Sequence, residues 1–433
     1  MSINLFHKTA FEFYDFSWRI ALPWLRLNHR LAEGYHQRAL KDWSPGRADL
    51  WIQAPSVGES FLALEILKTL RVEQPIQILL TSNTSQGIDI LNQTLPELVC
   101  DNSRIKTAVS YFPFDKPKIM AAAVAAIRPK LTVLLEAEIW PGLLLALKAQ
   151  GCRSIIVNGR LTDKSLKRYR LWPSIWSNLR PDKVLAISPA DADRFGTLFG
   201  PDCVEVMANI KFDRMAPAKS INDNHRRLES ILPAGLPFVV FASVRQEEES
   251  QVKKMLHHIA GHQPRTVMGL FPRHIQRIQF WQNALTRLGL RWVLRSAVVD
   301  PVPAGTIIVW DTFGELMPAY RLAQSAFVGG SLAPLGGQNF LESLINGVIP
   351  VIGSSWENFA WVGREIIDAG LLRVAVDWRQ AAAYILQDMD APRPRASVVE
   401  AAHRFFETRR GGTARASRQI EALLFEKTAK TIA

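Results

Sequence analysis

The chain has 433 residues, 48% hydrophobic and 21% charged, with a net charge of +12 and three cysteines, Cys100, Cys152 and Cys203. That length exceeds one ordinary domain, and the composition excludes a disordered or fibrous chain, so two or three domains with substantial cores are expected. Three widely spaced cysteines exclude a disulfide framework and give no zinc spacing, as suits a reducing compartment. The positive balance predicts an anionic partner: nucleic acid, a phosphorylated substrate or an acidic membrane surface.

In chain order, the first element is an aromatic-rich segment, FEFYDFSWRIALPWLRL over residues 11–27. Asp15, Arg19, Pro23 and Arg26 interrupt it, so no run approaches the ~20 apolar residues of a bilayer span. No small-residue cleavage site follows an apolar core, as a signal peptide would require. Trp18, Leu22 and Leu25 fall at helical spacing with basic residues close behind. That pattern fits an amphipathic helix lying in a membrane interface, or one packed on the protein's own core. Residues 1–48 are set apart as this segment.

Short apolar runs then alternate with longer helical patterns. The expected strands are 50–54, 76–82, 131–138, 154–159 and 183–188, then 238–243, 266–271, 306–311, 325–330 and 348–353. Continuous apolar runs, rather than alternating ones, are those of parallel strands buried on both faces, and strand–helix alternation builds right-handed βαβ units. A polar stretch from about Phe212 to Pro237 reads as a linker. Residues 395–427 read as helix broken at Gly411-Gly412. The expectation is an α/β protein of two Rossmann-like domains, 49–210 and 211–433, with a ligand cleft between them at the carboxyl ends of the strands.

The segments after the strands carry the chemistry. Gln53-Ala-Pro-Ser-Val-Gly-Glu59 places a carboxylate where a helix begins, as either a helix-start charge or a base. Thr81 to Gly87 is rich in hydroxyls. Leu134 to Gly142 carries Glu136 and Glu138 two residues apart, on one face unless the chain bends. In the second half follow FASVRQEEE (241–249), FPRH (271–274), DTFGEL (311–316) and GGSLAPLGGQNFLES (329–343). Taken singly, Asp311 could cap the helix containing Glu315, and Asn339 could be an ordinary cap. The glycine signature of dinucleotide sites and the P-loop are both absent. Asp191-Ala-Asp193 and Asp388-Met-Asp390 are weak as metal triplets, and no nucleic-acid motif accompanies the dispersed basic residues.

Together SVGE (56–59), EAEIWP (136–141), NGRL (158–161), NIKFD (209–213), PRH (272–274), DTFGEL and the segment 326–342 resemble the 3-deoxy-D-manno-octulosonic acid (Kdo) transferases. The resemblance runs from the N-terminal segment to about Thr413. It implies the two-domain GT-B fold and transfer of Kdo from CMP-Kdo to the lipid A precursor lipid IVA, with inversion, at the cytoplasmic face of the bacterial inner membrane. By it, Glu59 matches the general base, Glu138 a second carboxylate that stabilises the transition state, and Lys211 the lysine that balances charge on the departing phosphate. Pro272, Arg273, Phe313, Gly314, Glu315, Asn339, Phe340, Leu341 and Glu342 match CMP-binding positions. Ser56 and Gly58 are acceptor-side candidates, and no metal or other cofactor is implied. Ala137, Gly142, Val244–Glu247, Gln338, Phe340 and Ser343 depart from the family pattern. A divergent GT-B glycosyltransferase using another sugar nucleotide or acceptor, or a catalytically weak paralogue, is the alternative.

Overall fold

The computed structural model describes residues 5–43, 45–100, 104–215, 223–232 and 235–426. The chain divides into two compact units, Met1–Arg214 with Arg409–Ala433, and Met215–Thr408. In the first, β1 (Leu50–Gln53), β2 (Ile76–Ser82), β3 (Ile105–Tyr111), β4 (Leu131–Leu135), β5 (Arg153–Gly159), β6 (Lys183–Ala186) and β7 (Val204–Val206) form a sheet ordered β3-β2-β1-β4-β5-β6-β7. The second holds β8 (Phe238–Val244), β9 (Val267–Pro272), β10 (Trp292–Leu294), β11 (Ile307–Val309), β12 (Ser325–Val328), β13 (Pro350–Gly353) and β14 (Arg373–Ala375), ordered β10-β11-β9-β8-β12-β13-β14. Among the described residues every strand pairing is parallel. Two doubly wound sheets follow from the strand–helix alternation.

The order reverses between β1 and β4, and again between β8 and β12. Open parallel sheets bind ligands at such switch points, beyond the carboxyl ends of the strands. Thus Ser56–Glu59, after β1, and Glu136–Glu138, after β4, sit at one switch point of the fold. The segments 245–249 and 329–332 sit at the other.

Four strands were not expected from the sequence: β3, β7, β10 and β14. Three of them have only three residues, and β3 has polar positions at Lys106 and Thr107. The strand expected over 131–138 stops at Leu135, because Glu136 takes a left-handed backbone (φ +61°) that no strand accommodates. The polar stretch expected to be a linker contains the Asp223–Ile231 helix, which buries Leu228 and Ile231 in the second unit; residues 216–222 and 233–234 lie outside the described residues.

The two-part division expected from the sequence needs a correction at the C-terminus. The helix Gly412–Phe425 returns to the first unit, where Ala416, Ile420 and Leu424 pack with Leu62, Ile66 and the strand residues Ile52 and Val133. Asp213 locks it there, accepting from the amides of Gly411 (2.7 Å) and Thr413 (2.6 Å) and from the Thr413 hydroxyl. A Cβ at Gly412 would lie 2.1 Å from the Ala208 carbonyl oxygen, so glycine is required at that contact.

The N-terminal helix Leu5–Leu25 also belongs to the first unit. Trp18 faces inward to Phe114 (6.0 Å between centroids), and Tyr14 donates to the buried Asp115 at 3.0 Å. Its opposite face presents Phe13, Phe16, Ile20, Trp24 and, just past the helix, Leu27 to solvent. The helix therefore both packs on the core and keeps an outward apolar stripe, made by residues other than the inward-facing Trp18. No helix among the described residues is long and apolar enough to cross a membrane.

Candidate active site

Ser56 caps the Val57–Thr69 helix: its hydroxyl accepts from the Gly58 amide and donates to the Glu59 carboxylate. That fixes Glu59 in the first turn, where the helix dipole favours negative charge. A Cβ at Gly58 would meet only Ser56 Oγ, at 3.8 Å, so the chain itself leaves the space beside this turn open.

The left-handed turn at Glu136 separates two carboxylates that a straight strand would put on one face. Glu136 turns to Lys211, whose Nζ lies 2.6 Å from Oε1. Burial raises its pKa; the Lys211 charge opposes this, and the neighbouring Glu59, also hydrogen-bonded to it, adds to the rise. Glu138 accepts instead from the indole of Trp140 and from Gln53 Nε2 (3.3 Å). Burial pushes its pKa up to about 7; the two donors pull down, while Glu59 and Glu136 push up. Gln53 is held in turn by Thr81 (2.6 Å), which accepts from Trp51 (2.8 Å). Thr81, near the end of β2, therefore orients the amide behind Glu138.

Lys211 is placed by a second left-handed residue. Asn158 (φ +57°), fully buried at the end of β5, accepts from the Ile210 amide at 2.9 Å. Asn209 then caps the short Ile210–Asp213 helix by accepting from the Lys211 amide. The structure thus brings Glu59, Glu138 and Lys211 together and adds Glu136, Gln53 and Asn158. Glu136 was visible in the sequence as one of a pair; only the backbone turn shows that it, not Glu138, meets Lys211.

In the second unit, Pro272, Arg273, Phe313, Gly314 and Glu315 line one cavity of about 160 Å³ with Trp310 and Ser243. Phe313 is 84% exposed, an aromatic ring held out to solvent beside Gly314 (φ +83°). Glu315 lines that cavity with its carboxylate already engaged by neighbouring side chains. Its oxygens receive Arg295 in a fork (2.9 Å twice), the Trp310 indole (2.8 Å) and the Thr312 hydroxyl (3.1 Å). It shapes the loop, and Asp311 holds Ser296 instead of capping that helix.

Asn339 donates to Glu342 at 2.8 Å, and its Oδ1 is buried without a hydrogen-bond partner. Burial raises the Glu342 pKa, with Asn339 and the Arg273 charge opposing, so this pair lies near Arg273. Phe340 and Leu341 are fully buried, Phe340 against Phe359 and Trp356, so their side chains serve the core and only their backbone can meet a ligand. The Leu341–Ile345 helix that follows has no side-chain cap, so Asn339 is not the ordinary cap the sequence allowed.

The loop after β12 is organised from below by Glu248, which the sequence hides in a run of three acids. Its buried carboxylate accepts from the amides of Arg245 (2.9 Å), Gly330 (2.5 Å), Ser331 and Leu332 (3.2 Å each). A Cβ at Gly329 would lie 2.4 Å from that carboxylate. The Asp triplets have structural roles: Asp191 accepts from Leu161 and Ser188, and Asp388, in the last turn of a helix and not a polar loop, pairs with Arg373 at 2.8 Å. Among the described residues no group of three His, Cys, Asp or Glu is placed to hold a metal ion.

A family model described as 3-deoxy-D-manno-octulosonic-acid transferase (kdotransferase) matches residues 26–214, which contain all four charged residues of the first site. The 3-deoxy-D-manno-octulosonic acid transferase of Bordetella pertussis is 30% identical over 384 residues, 87% of this chain and 88% of that protein. The chain belongs to the Kdo transferase family. The Haemophilus influenzae enzyme of the same name is 28% identical over 360 residues, 81% of each chain. In fold, this Kdo transferase family member is similar to a glycosyltransferase from Rickettsia africae (TM-score 0.57, 11% identity, 88% of this chain and 100% of that one). It is likewise similar to a UDP-GlcNAc 2-epimerase from Neisseria meningitidis (TM-score 0.54, 12% identity, 87% and 99%). The protein is a glycosyltransferase, and its architecture is GT-B.

Proposed function

We propose that this enzyme transfers Kdo from CMP-Kdo to a phosphorylated lipid A precursor, lipid IVA, with inversion at the anomeric carbon. The observation that carries the reading is the convergence of Glu59, Glu136 and Glu138 with Lys211 at the β1/β4 switch point in a chain of this family. Glu59 takes the proton of the attacking acceptor hydroxyl, whose oxygen bonds to the anomeric carbon while the bond to the CMP phosphate breaks. Glu138, once ionised, lowers the energy of the oxocarbenium-like centre, and Lys211, oriented by Glu136, offsets the negative charge released on the phosphate.

Arg273 and the Phe313-Gly314 turn are the donor contacts, with Asn339 and Glu342 beside them. The aromatic ring suits a stacked base, and the guanidinium suits the phosphate. A monophosphate leaving group carries less charge than a diphosphate, so the reaction as proposed runs without a metal. The outward stripe Phe13, Phe16, Ile20, Trp24 and Leu27, on a protein of net charge +12, supports peripheral binding to the anionic cytoplasmic face of the inner membrane.

The test is a transfer assay with purified protein, CMP-Kdo and lipid IVA, run beside Glu59→Ala. Product from the parent and a loss of at least a hundredfold in the variant is the expected result. A parent that binds CMP but makes no product would move the proposal to another sugar or acceptor. One that neither binds CMP nor turns over would end it.

A further inference from the structure

Between the N-terminal helix and the carboxyl edge of the first sheet lies a cavity of about 440 Å³. Trp18, Ala21 and Leu25 form its helix side, and Phe112, Phe114 and Trp140 its sheet side. The surface inside is almost entirely carbon. Trp140 is the residue whose indole donates to Glu138, so one wall of the cavity is the back of the proposed catalytic site. Arg38 also lines it. Its guanidinium donates to three backbone carbonyls, Glu33 (3.2 Å), Phe112 (3.4 Å) and Asn83 (2.6 Å), so no carboxylate in these bonds neutralises its charge.

A cavity of this size and chemistry, within the usual range for small-ligand sites, takes an apolar ligand more readily than water. The same helix is apolar on its outer face too, at Phe13, Phe16, Ile20, Trp24 and Leu27. Apolar surface on both sides of one surface helix is a pattern of lipid contact. We propose that the cavity receives one acyl chain of the lipid acceptor, holding the acceptor's sugar toward Glu59 and Glu138 and its phosphate within the field of Arg38. This rests on the transferase reading for the identity of the lipid. Seating the chain beside Trp140 orients the attacking hydroxyl, and a chain passing from bilayer to cavity along the helix stays out of water.

The experiment is a series of phosphorylated glucosamine disaccharide acceptors, from deacylated through increasing chain length, kept below their critical micelle concentrations. Affinity is read by displacement of a fluorescent fatty-acyl probe, and KM is read in the transfer assay. Each methylene seated in the cavity is expected to lower both constants about fourfold, until the cavity is full and the trend levels off. Ala21→Phe and Ser17→Leu, which fill the space, are expected to flatten that slope; an unchanged circular-dichroism spectrum and thermal midpoint show that the variants fold. A slope that is the same in parent and variants, or a deacylated acceptor used as well as an acylated one, overturns the proposal. The parent series decides this even if a variant fails to fold. Transfer without chain-length dependence removes the acyl site and leaves the transferase reading. Binding that depends on chain length and on residue 21, but without transfer, does the reverse.

Discussion

At the carboxyl edge of the first sheet, Glu136 and Glu138 are partly buried acids whose pKa values burial drives up while a lysine, an indole and an amide pull down. At the same edge of the second sheet, Glu248 and Glu315 are more deeply buried, but their oxygens are taken up by four backbone amides in one case and by Arg295, Trp310 and Thr312 in the other. At Glu138 the opposed pulls end near 7, so that carboxyl group can gain or lose a proton near neutral pH, as a reaction centre requires. Oxygens engaged by backbone amides or by an arginine fork instead hold loops in place around glycines at positive φ, Gly330 and Gly314, as a binding site requires. The difference separates where bonds are expected to change from where a ligand is expected only to be held.

The largest effect expected from breaking this comparison is at Glu59. Glu59→Ala should lower kcat about 10²–10⁴-fold, the usual contribution of a positioned base, with donor KM little changed. Loss confined to KM would make Glu59 a binding group. Next in size is Arg295→Met, which strands the Glu315 carboxylate. Removing one partner of a buried ion pair costs ~3–5 kcal/mol, to be read as a lowered denaturant midpoint for the second unit. If Glu315 were a ligand-facing acid, the same variant would leave stability intact and change donor affinity alone.

The sequence made the strand–helix alternation legible, and with it the two Rossmann-like folds and the placing of Glu59 and Arg273 after strands; Glu138, expected at a strand's last position, lies beyond the end of β4. It did not show that Glu136 would be left-handed, because a non-glycine residue carries no local signal for that conformation. Nor did it show Gly412–Phe425 crossing back to the first unit, since its stripe at 416, 420 and 424 fits either core equally well. Glu248 and Arg295 were hidden for a related reason. A buried charge is recognised by its partners, and those partners lie 82–84 and 20 residues away in the chain.

A third, smaller effect concerns Asp115, buried beneath the N-terminal helix. It accepts from the Gly142 and Leu143 amides (2.8 and 2.7 Å) and from Tyr14, yet burial still pushes its pKa up to about 7. In the unfolded chain an aspartate titrates near 3.9. The folded state therefore holds a proton that the unfolded state has lost between roughly pH 4 and 7, so stability is fullest below that window and falls as pH rises through it. Asp115→Asn should remove this fall, so that denaturation midpoints measured from pH 4 to 7 become flatter than the parent's. An unchanged slope would assign the pH dependence elsewhere.

The smallest and most specific effect is expected around Glu138. If its ionised form is the active one, kcat should rise with pH through an inflection near 7, the value to which burial brings it. Gln53 donates to the carboxylate and so favours the charged form. Gln53→Ala removes that donor, which must raise the pKa and move the inflection upward, by roughly half a unit for a single neutral donor. The Trp140 indole lowers the pKa more than Gln53 does, so Trp140→Phe should move the inflection further in the same direction. Both variants would then be slower than the parent at pH 6 yet close the gap at pH 9. Catalytic loss equal at the two pH values would mean that Gln53 and Trp140 position Glu138 without setting its charge, and that the raised acid at this edge plays no part in the rate.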